Sequence, residues 1–199
     1  MQGFSPAAEN NKSPILDVLT SYLRAGDNVL EIGSGSGQHA IHMATSLPDL
    51  HWQPSEQTSV LPLLNQNVRD FGPANLNQPC ELDLAQLPDS MDMHLQCVYS
   101  ANVIHIVSEA LGENLITWSG DILSNGGYLV LYGPYKYGGE FTTPSNANFD
   151  LWLKDRNAQS GIRDFEWVNQ LANLSGMELL KDHAMPSNNQ CLVFKKSSA

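Results

Sequence analysis

The residues best placed by type and spacing to do chemistry begin at Glu31. The run Glu31-Ile32-Gly33-Ser34-Gly35-Ser36-Gly37 follows the apolar stretch Asn28 to Ile32 and precedes a helical pattern that reaches Thr45. Strand, glycine turn and helix in that order can hold a nucleotide-like ligand. Glycines allow tight turning and close backbone approach, and the free N–H groups of the next helix point at the ligand. The spacing separates ligand classes. A dinucleotide fingerprint, G-x-G-x-x-G, needs a third glycine at position 38, where Gln38 stands. A pyrophosphate would also be disfavoured beside the Glu31 carboxylate. Both facts argue against a nicotinamide-dependent oxidoreductase.

Further polar candidates recur where strands end. Glu56 closes Trp52-Gln53-Pro54-Ser55-Glu56 after a second strand. It either accepts hydrogen bonds from ribose hydroxyls or is a solvated carboxylate at a helix start. Asp83 follows a short third strand and is either a ligand contact or an ordinary loop aspartate. Asn102 and His105 lie just past a fourth strand, and ligands of open α/β sheets sit beyond strand C-termini. Asn102 reads equally as a loop amide, and His105, between Ile104 and Ile106, as a core histidine. His39 and His42, three apart on one helix, have spacing for two metal ligands. No third ligand accompanies them, so no metal site is expected. No nucleophile elbow, P-loop or H-E-x-x-H occurs.

These candidates need a scaffold, and apolar runs alternating with helical patterns point to a parallel sheet covered by helices. A first helix is expected over residues 13–24, opened by Ser13-Pro14, with Ile15, Leu16, Leu19, Tyr22 and Leu23 at helical spacing. Strands are expected over 28–32, 50–53, 80–82, 95–101 and 128–132. Helices are expected after the glycine turn and over 58–71, 109–123 and 165–174. The last two runs, 177–184 and 190–195, flank the turn Met185-Pro186-Ser187-Asn188-Asn189 and form an antiparallel pair. Residues 133–160 are rich in Gly, Pro, Asn, Tyr and Thr and read as a long irregular segment, which is usually functional.

The chain has 199 residues, 42% hydrophobic and 16% charged, a composition for one globular domain spanning 1–199. Its 21 acidic and 10 basic residues give a formal charge of -11, which repels polyanions, and no basic stripe offsets it. No nucleic-acid partner is expected, and a small molecule is favoured. No run of roughly 18 apolar residues suggests a membrane span. The polar Met1 to Pro14 segment lacks a secretory pattern, so a cytoplasmic location is expected. Cys80, Cys97 and Cys191 are scattered, as reduced core thiols would be. Nothing in the sequence speaks to oligomeric state.

The Glu31-x-Gly33-x-Gly35-x-Gly37 string resembles motif I of S-adenosylmethionine-dependent methyltransferases. Several other strings carry a closer resemblance: Ser5-Pro6-Ala7-Ala8-Glu9-Asn10-Asn11-Lys12, Ala101-Asn102-Val103-Ile104-His105-Ile106, Tyr132-Gly133-Pro134-Tyr135-Lys136, Pro144 to Asp150, Gly161-Ile162-Arg163-Asp164 and Met185 to Asn189. Together they resemble the methyltransferase-like twenty-six family, an uncharacterised branch of class I methyltransferases. The resemblance runs over nearly the whole chain. It departs at Glu56, where the family usually has Asp, and at Asn10, where it usually has Arg.

The resemblance implies an α/β three-layer sandwich whose Rossmann-like sheet has seven strands, the last one antiparallel. It implies S-adenosylmethionine as cofactor and methyl transfer to an unidentified small-molecule acceptor. The alternative is a non-catalytic cofactor-binding sensor or partner subunit. Cofactor contacts are expected from Asn11, Lys12, Glu31, Gly33, Ser34, Gly35, Gly37, Gln38, Glu56, Asp83 and Asn102. Glu31 would meet the cofactor's ammonium, directly or through water, and Asp83 the adenine amino group. Residues 133–160 are expected to cap the site, with Lys136, Asn146, Arg163 and Asn188 toward the substrate. His105 is the expected base, with Tyr132 and Asp150 behind it. Asp150 and Arg163 could instead pair to hold the cap.

Overall fold

The computed structural model describes residues 1–198. Its first helix, α1 (Pro6–Leu19), starts earlier than the Ser13-Pro14 signal suggests. Ser5 is the cap, its Oγ accepting from Ala8 N at 3.3 Å, and Pro6 fills a first-turn position where a missing N–H costs nothing. Pro14 lies inside the helix. Next come β1 (Asn28–Ile32), the glycine turn, α2 (Gln38–Ser46), β2 (His51–Glu56), α3 (Leu61–Phe71) and β3 (Cys80–Glu81). They are followed by β4 (Leu95–Ala101), α4 (Glu109–Ile122) and β5 (Leu123–Gly133).

The stretch expected to be irregular is ordered. It holds β6 (Tyr135–Tyr137), β7 (Glu140–Phe141) and the 13-residue helix α5 (Pro144–Arg156). Thr143 caps α5 by accepting from Asn146 N, and Lys154 and Arg156 sit in its last turn, where cations suit the helix dipole. The chain ends in β8 (Arg163–Asp164), α6 (Phe165–Leu174), β9 (Met177–Met185), a 3-10 turn at Pro186–Asn188 and β10 (Asn189–Lys196).

Seven strands form one sheet in the order β3-β2-β1-β4-β5-β10-β9. Strand β10 runs antiparallel to both its neighbours, pairing Leu192 with Leu131 of β5 and with Asp182 of β9. β1, β2, β3, β4 and β5 pair in parallel. The order steps outward from β1 in both directions, so the crossovers place helices on both faces. A small second sheet, β7-β6-β8, joins the start of the 133–160 segment to β8.

Alternation along the strands divides the core in two. Val29, Cys97, Tyr99, Val130, Cys191 and Val193 point to the face covered by α1, α2 and α3. Leu30, Val98, Leu129, Leu131, Leu192 and Phe194 point to the face covered by α4 and α6. Two apolar faces on each central strand explain why these strands read as continuous apolar runs. Each such side chain, fully buried, contributes roughly 1.5–3 kcal/mol. Cys97 and Cys191 are buried in this core and Cys80 is half-buried, all as free thiols. Burial pushes the Cys191 thiol up to about 12, so it stays protonated. Helix α5 covers neither face. It lies with β6 and β7 beyond the strand C-termini, where the candidate site is.

Candidate functional site

The glycine turn hangs between β1 and β2 on a short ladder. Gly33 N and Ser34 N both donate to Ser55 O, Ser34 Oγ accepts from Ser55 N, and Ser55 Oγ donates to Glu31 O at 2.7 Å. Gly33 has φ 75°, and an added Cβ there would lie 2.5 Å from Val103 Cγ2. Gly35 has φ 56°, but nothing lies within 4 Å of where its Cβ would be. One glycine lets two loops touch; the other borders open space.

That space is a cleft of about 310 Å³. Gly33 and Gly35 form one rim, Glu56 and Asp83 two polar points, and Val103, Ile106, Val107 and Leu111 an apolar wall. Glu56 Oε2 accepts from Gly35 N at 2.8 Å and its Oε1 from Gln57 N at 2.9 Å, so the carboxylate is fixed against the turn. Asp83 Oδ1 accepts from Ala85 N at 2.9 Å. The cleft offers an apolar slot, a fixed carboxylate and a turn with no side chain in the way, features that suit an adenosine-like group.

Asn102 joins this cleft to a second, wider one of about 690 Å³, since it lines both. Its φ is 59°, left-handed, and its N–H donates to Tyr132 O at 2.9 Å. Asn10 and Asn11 of α1, Tyr132 at the end of β5, Asn146 and Phe149 of α5 and the Pro186–Asn189 turn line the second cleft. Asn11 Oδ1 bonds His39 Nε2 at 2.7 Å, and His39 Nδ1 bonds Tyr99 Oη at 3.0 Å. With Asn11 as acceptor, Nε2 carries the proton and Nδ1 accepts from the phenol. Burial, the largest influence, pushes His39 down to about 4. His39 is therefore a neutral support for Asn11. Among the described residues no cluster of three or more His, Cys, Asp and Glu side chains could hold a metal.

Other expected site residues lie elsewhere. Glu31 lines neither cleft. It is 2% exposed behind the turn, its Oε2 accepting from Trp52 Nε1 at 2.9 Å. Loss of hydration pushes its carboxyl up to about 7 against the opposing pull of that indole hydrogen bond. Lys12 pairs with Glu9 on the helix surface. Gln38 is buried and clamps the backbone of Ser5, which fixes the start of α1.

His105 is 2% exposed, faces Phe149 edge-on at 5.6 Å and has no partner for Nδ1. Burial, aided by the Arg163 cation, pushes it down to about 4. Asp150 is buried with both oxygens engaged, Oδ1 by Ile162 N at 2.7 Å and Oδ2 by Lys154 Nζ at 2.6 Å. The expected base roles of His105 and Asp150 gain no support from these positions. Nor do Asp150 and Arg163 pair with each other. Arg163 donates to the carbonyls of Ile104, Val107 and Gln159 and lies 3.4 Å from Glu109. Lys136 pairs with Asp164 at 3.0 Å. Asn146 and Asn188 do line the wider cleft, tied by Asn146 Nδ2 to Asn188 O at 3.0 Å. The apolar wall of the first cleft and the place of Ser187 and Asn189 in the second carry no periodic signal in the sequence. Only the turn-forming tendency of Ser-Asn-Asn after Pro186 hints at the latter.

A family model described as "Protein of unknown function (DUF938)" matches residues 2–196, and the chain belongs to that family. The fold is also similar to solved methyltransferases. An O-methyltransferase family protein from Burkholderia thailandensis superposes with TM-score 0.80 at 15% identity, over 96% of this chain and 59% of that one. An O-methyltransferase family 2 protein from Planctomyces limnophilus, solved with apigenin, gives 0.74 at 15% identity, over 96% and 62%. Human N-acetylserotonin methyltransferase, solved with S-adenosylmethionine, gives 0.77 at 13% identity, over 94% and 52%. This chain thus spans between about half and three fifths of the length of these structures. The likeness shows a class I methyltransferase fold.

Proposed function

We propose that this member of the DUF938 family binds S-adenosylmethionine in the narrower cleft and transfers its methyl group to a small-molecule acceptor held in the wider one. The observation that carries the reading is the side-chain-free rim at Gly35, facing Glu56 and opening through Asn102 into a second cavity. The fold it shares with solved methyltransferases supports the same reading, as does the sequence resemblance to the methyltransferase-like twenty-six family.

In this proposal Gly33, Ser34, Gly35 and Gly37 shape the cofactor's seat. Glu56 takes the ribose hydroxyls and Asp83 the adenine amino group. Asn102, which lines both clefts, meets the amino-acid end, buried Glu31 compensates its ammonium from behind the turn, and Asn11 stands in the wider cleft. Lys12 and Gln38 act only through the placement of α1. Residues 133–160 form the acceptor's cap, with Asn146 and Asn188 in its wall and Lys136, Arg163 and Asp150 holding it in shape. When bound, the cofactor supplies an electrophilic methyl on a sulfonium. The chain's own work is to align an acceptor with that methyl and exclude water. Burial raises the Tyr132 phenol, so it stays protonated and serves as a hydrogen-bond donor to the acceptor.

A sensor with no acceptor would have no use for a polar cavity beside the cofactor seat, which favours the enzyme reading. Calorimetric titration with S-adenosylmethionine, and with NADH in parallel, tests the proposal. S-adenosylmethionine alone should bind saturably, and a hundredfold excess over Kd should stabilise the fold by about 2.7 kcal/mol. Glu56→Ala should weaken that binding by tenfold or more. Absence of saturable S-adenosylmethionine binding would sink the reading.

A further inference from the structure

The wall of the wider cleft has an unusual chemistry. Six asparagines contribute to it: Asn10, Asn11, Asn102, Asn146, Asn188 and Asn189. None of its lining residues is Asp, Glu, Lys, Arg or His, in a protein whose formal charge is -11. The amides are already partly used within the chain, and in a consistent way. Asn11 gives its carbonyl oxygen to His39. Asn146, Asn188 and Asn189 spend amino groups on Thr142 and Asn188, on Ser145, and on Pro186 and Ser187 respectively. What remains on this wall is the protonated Tyr132 phenol, beside Asn11 and Asn189, as a donor, and the carbonyl oxygens of Asn146 and Asn188 as acceptors.

A second observation singles out the same place. Among the described residues, only Asn102, Ser187 and Asn188 combine a side chain with a left-handed backbone, at φ 59°, 60° and 59°. All three line this cleft. Such conformations persist where the surroundings over-determine them, and they cluster at ligand sites.

We propose that the wider cleft selects an uncharged acceptor that carries carboxamide-like groups able to give and take hydrogen bonds at once; its designation as an acceptor rests on the methyl-transfer reading of the neighbouring cleft. A carboxylate or ammonium entering it would lose hydration and meet no counter-charge. A neutral amide exchanges water for matching partners: its oxygen accepts from the Tyr132 phenol, and its amino group donates to Asn146 and Asn188. Phe149, Pro134 and Pro186 offer apolar surface for the rest of the molecule. The volume suits a small organic ligand.

Three probes of one size and shape test this: benzamide, benzoate and benzylammonium, each titrated into the protein with and without S-adenosylmethionine and followed by saturation-transfer NMR. Benzamide should bind at least tenfold more tightly than either ion. Asn146→Asp should move the preference toward benzylammonium by about tenfold, and Asn188→Asp should do the same if the first variant fails to fold. Equal or tighter binding of benzoate or benzylammonium by the wild type, or binding of none of the three, overturns the proposal. The cofactor is read separately by calorimetry. Loss of S-adenosylmethionine binding with the benzamide preference intact would remove the methyl-transfer reading and leave the chemistry of the cleft standing.

Discussion

At Gly33 a methyl group would meet Val103 Cγ2 at 2.5 Å on a backbone at φ 75°, whereas at Gly35 it would meet nothing within 4 Å. Gly33→Ala therefore combines left-handed strain with overpacking and should cost about 2–4 kcal/mol in urea denaturation. Gly35→Ala should cost only about 1–2 kcal/mol, from the backbone. Its added methyl would enter the proposed cofactor seat, so calorimetry should show it harming S-adenosylmethionine binding more than stability. Glu31 gives a second contrast. Its carboxyl is pushed up to about 7 from the usual 4.5 by burial. The folded state thus holds a proton that the unfolded state has released between those values. Stability from this group is full below about 4.5 and is lost as pH rises through 7, by on the order of 3 kcal/mol. Glu31→Gln should remove that loss and stabilise the free protein at pH 8. A bound ammonium favours the ionised form, so wild-type affinity for S-adenosylmethionine should rise from pH 6 to pH 8, and the Gln variant should show no such rise.

The elements differ in how openly the sequence declares them. β1, β4 and the core of β5 are continuous apolar runs because both of their faces are buried, and their limits are visible without a structure. The glycine turn and Glu56 are legible for a related reason, since each occupies a strand end whose position the pattern fixes. Helix α1 begins and ends earlier than the expected 13–24 because Ser13-Pro14 carries a start signal inside a helix that Ser5-Pro6 already opens. Helix α5 was invisible to periodicity because its buried stripe is Asn146, Asp150 and Leu153, two of them polar, with Leu151 and Trp152 exposed. No amphipathic signal exists when polar residues face inward, and the true partners of Asp150 and Arg163 depend on loops whose course is set by tertiary contacts. Arg163 links that helix region to the loop after β4 through the carbonyls of Ile104, Val107 and Gln159. Arg163→Ala should therefore destabilise by about 3 kcal/mol. Hydrogen exchange should quicken first over residues 144–162 while β1, β4 and β5 stay protected, and uniform loss of protection would contradict a local fastening role.

For the molecule as a whole, two buried imidazoles set the acid limit. His39 and His105 are both pushed down to about 4 by burial from the usual 6.5. Here the unfolded state binds the proton first. The stability they secure is complete above about 6.5 and disappears as pH falls toward 4, by roughly 3 kcal/mol each at most. Together with the opposite slope from Glu31, this places the stability maximum near neutrality. Replacing both histidines with glutamine should flatten the acid limb of a denaturation-versus-pH curve even if it lowers the plateau. The sheet order carries a consequence of another kind. β10 is the last of the seven strands in the chain, yet it lies between β5 and β9. On the ribosome, β5 is made with its edge bare, and β9 emerges with no strand to hold it. Neither can be joined until residues 189–196 have left the exit tunnel. A nascent chain halted before β10 would display an unpaired, strongly apolar edge of the kind that chaperones bind and aggregates recruit.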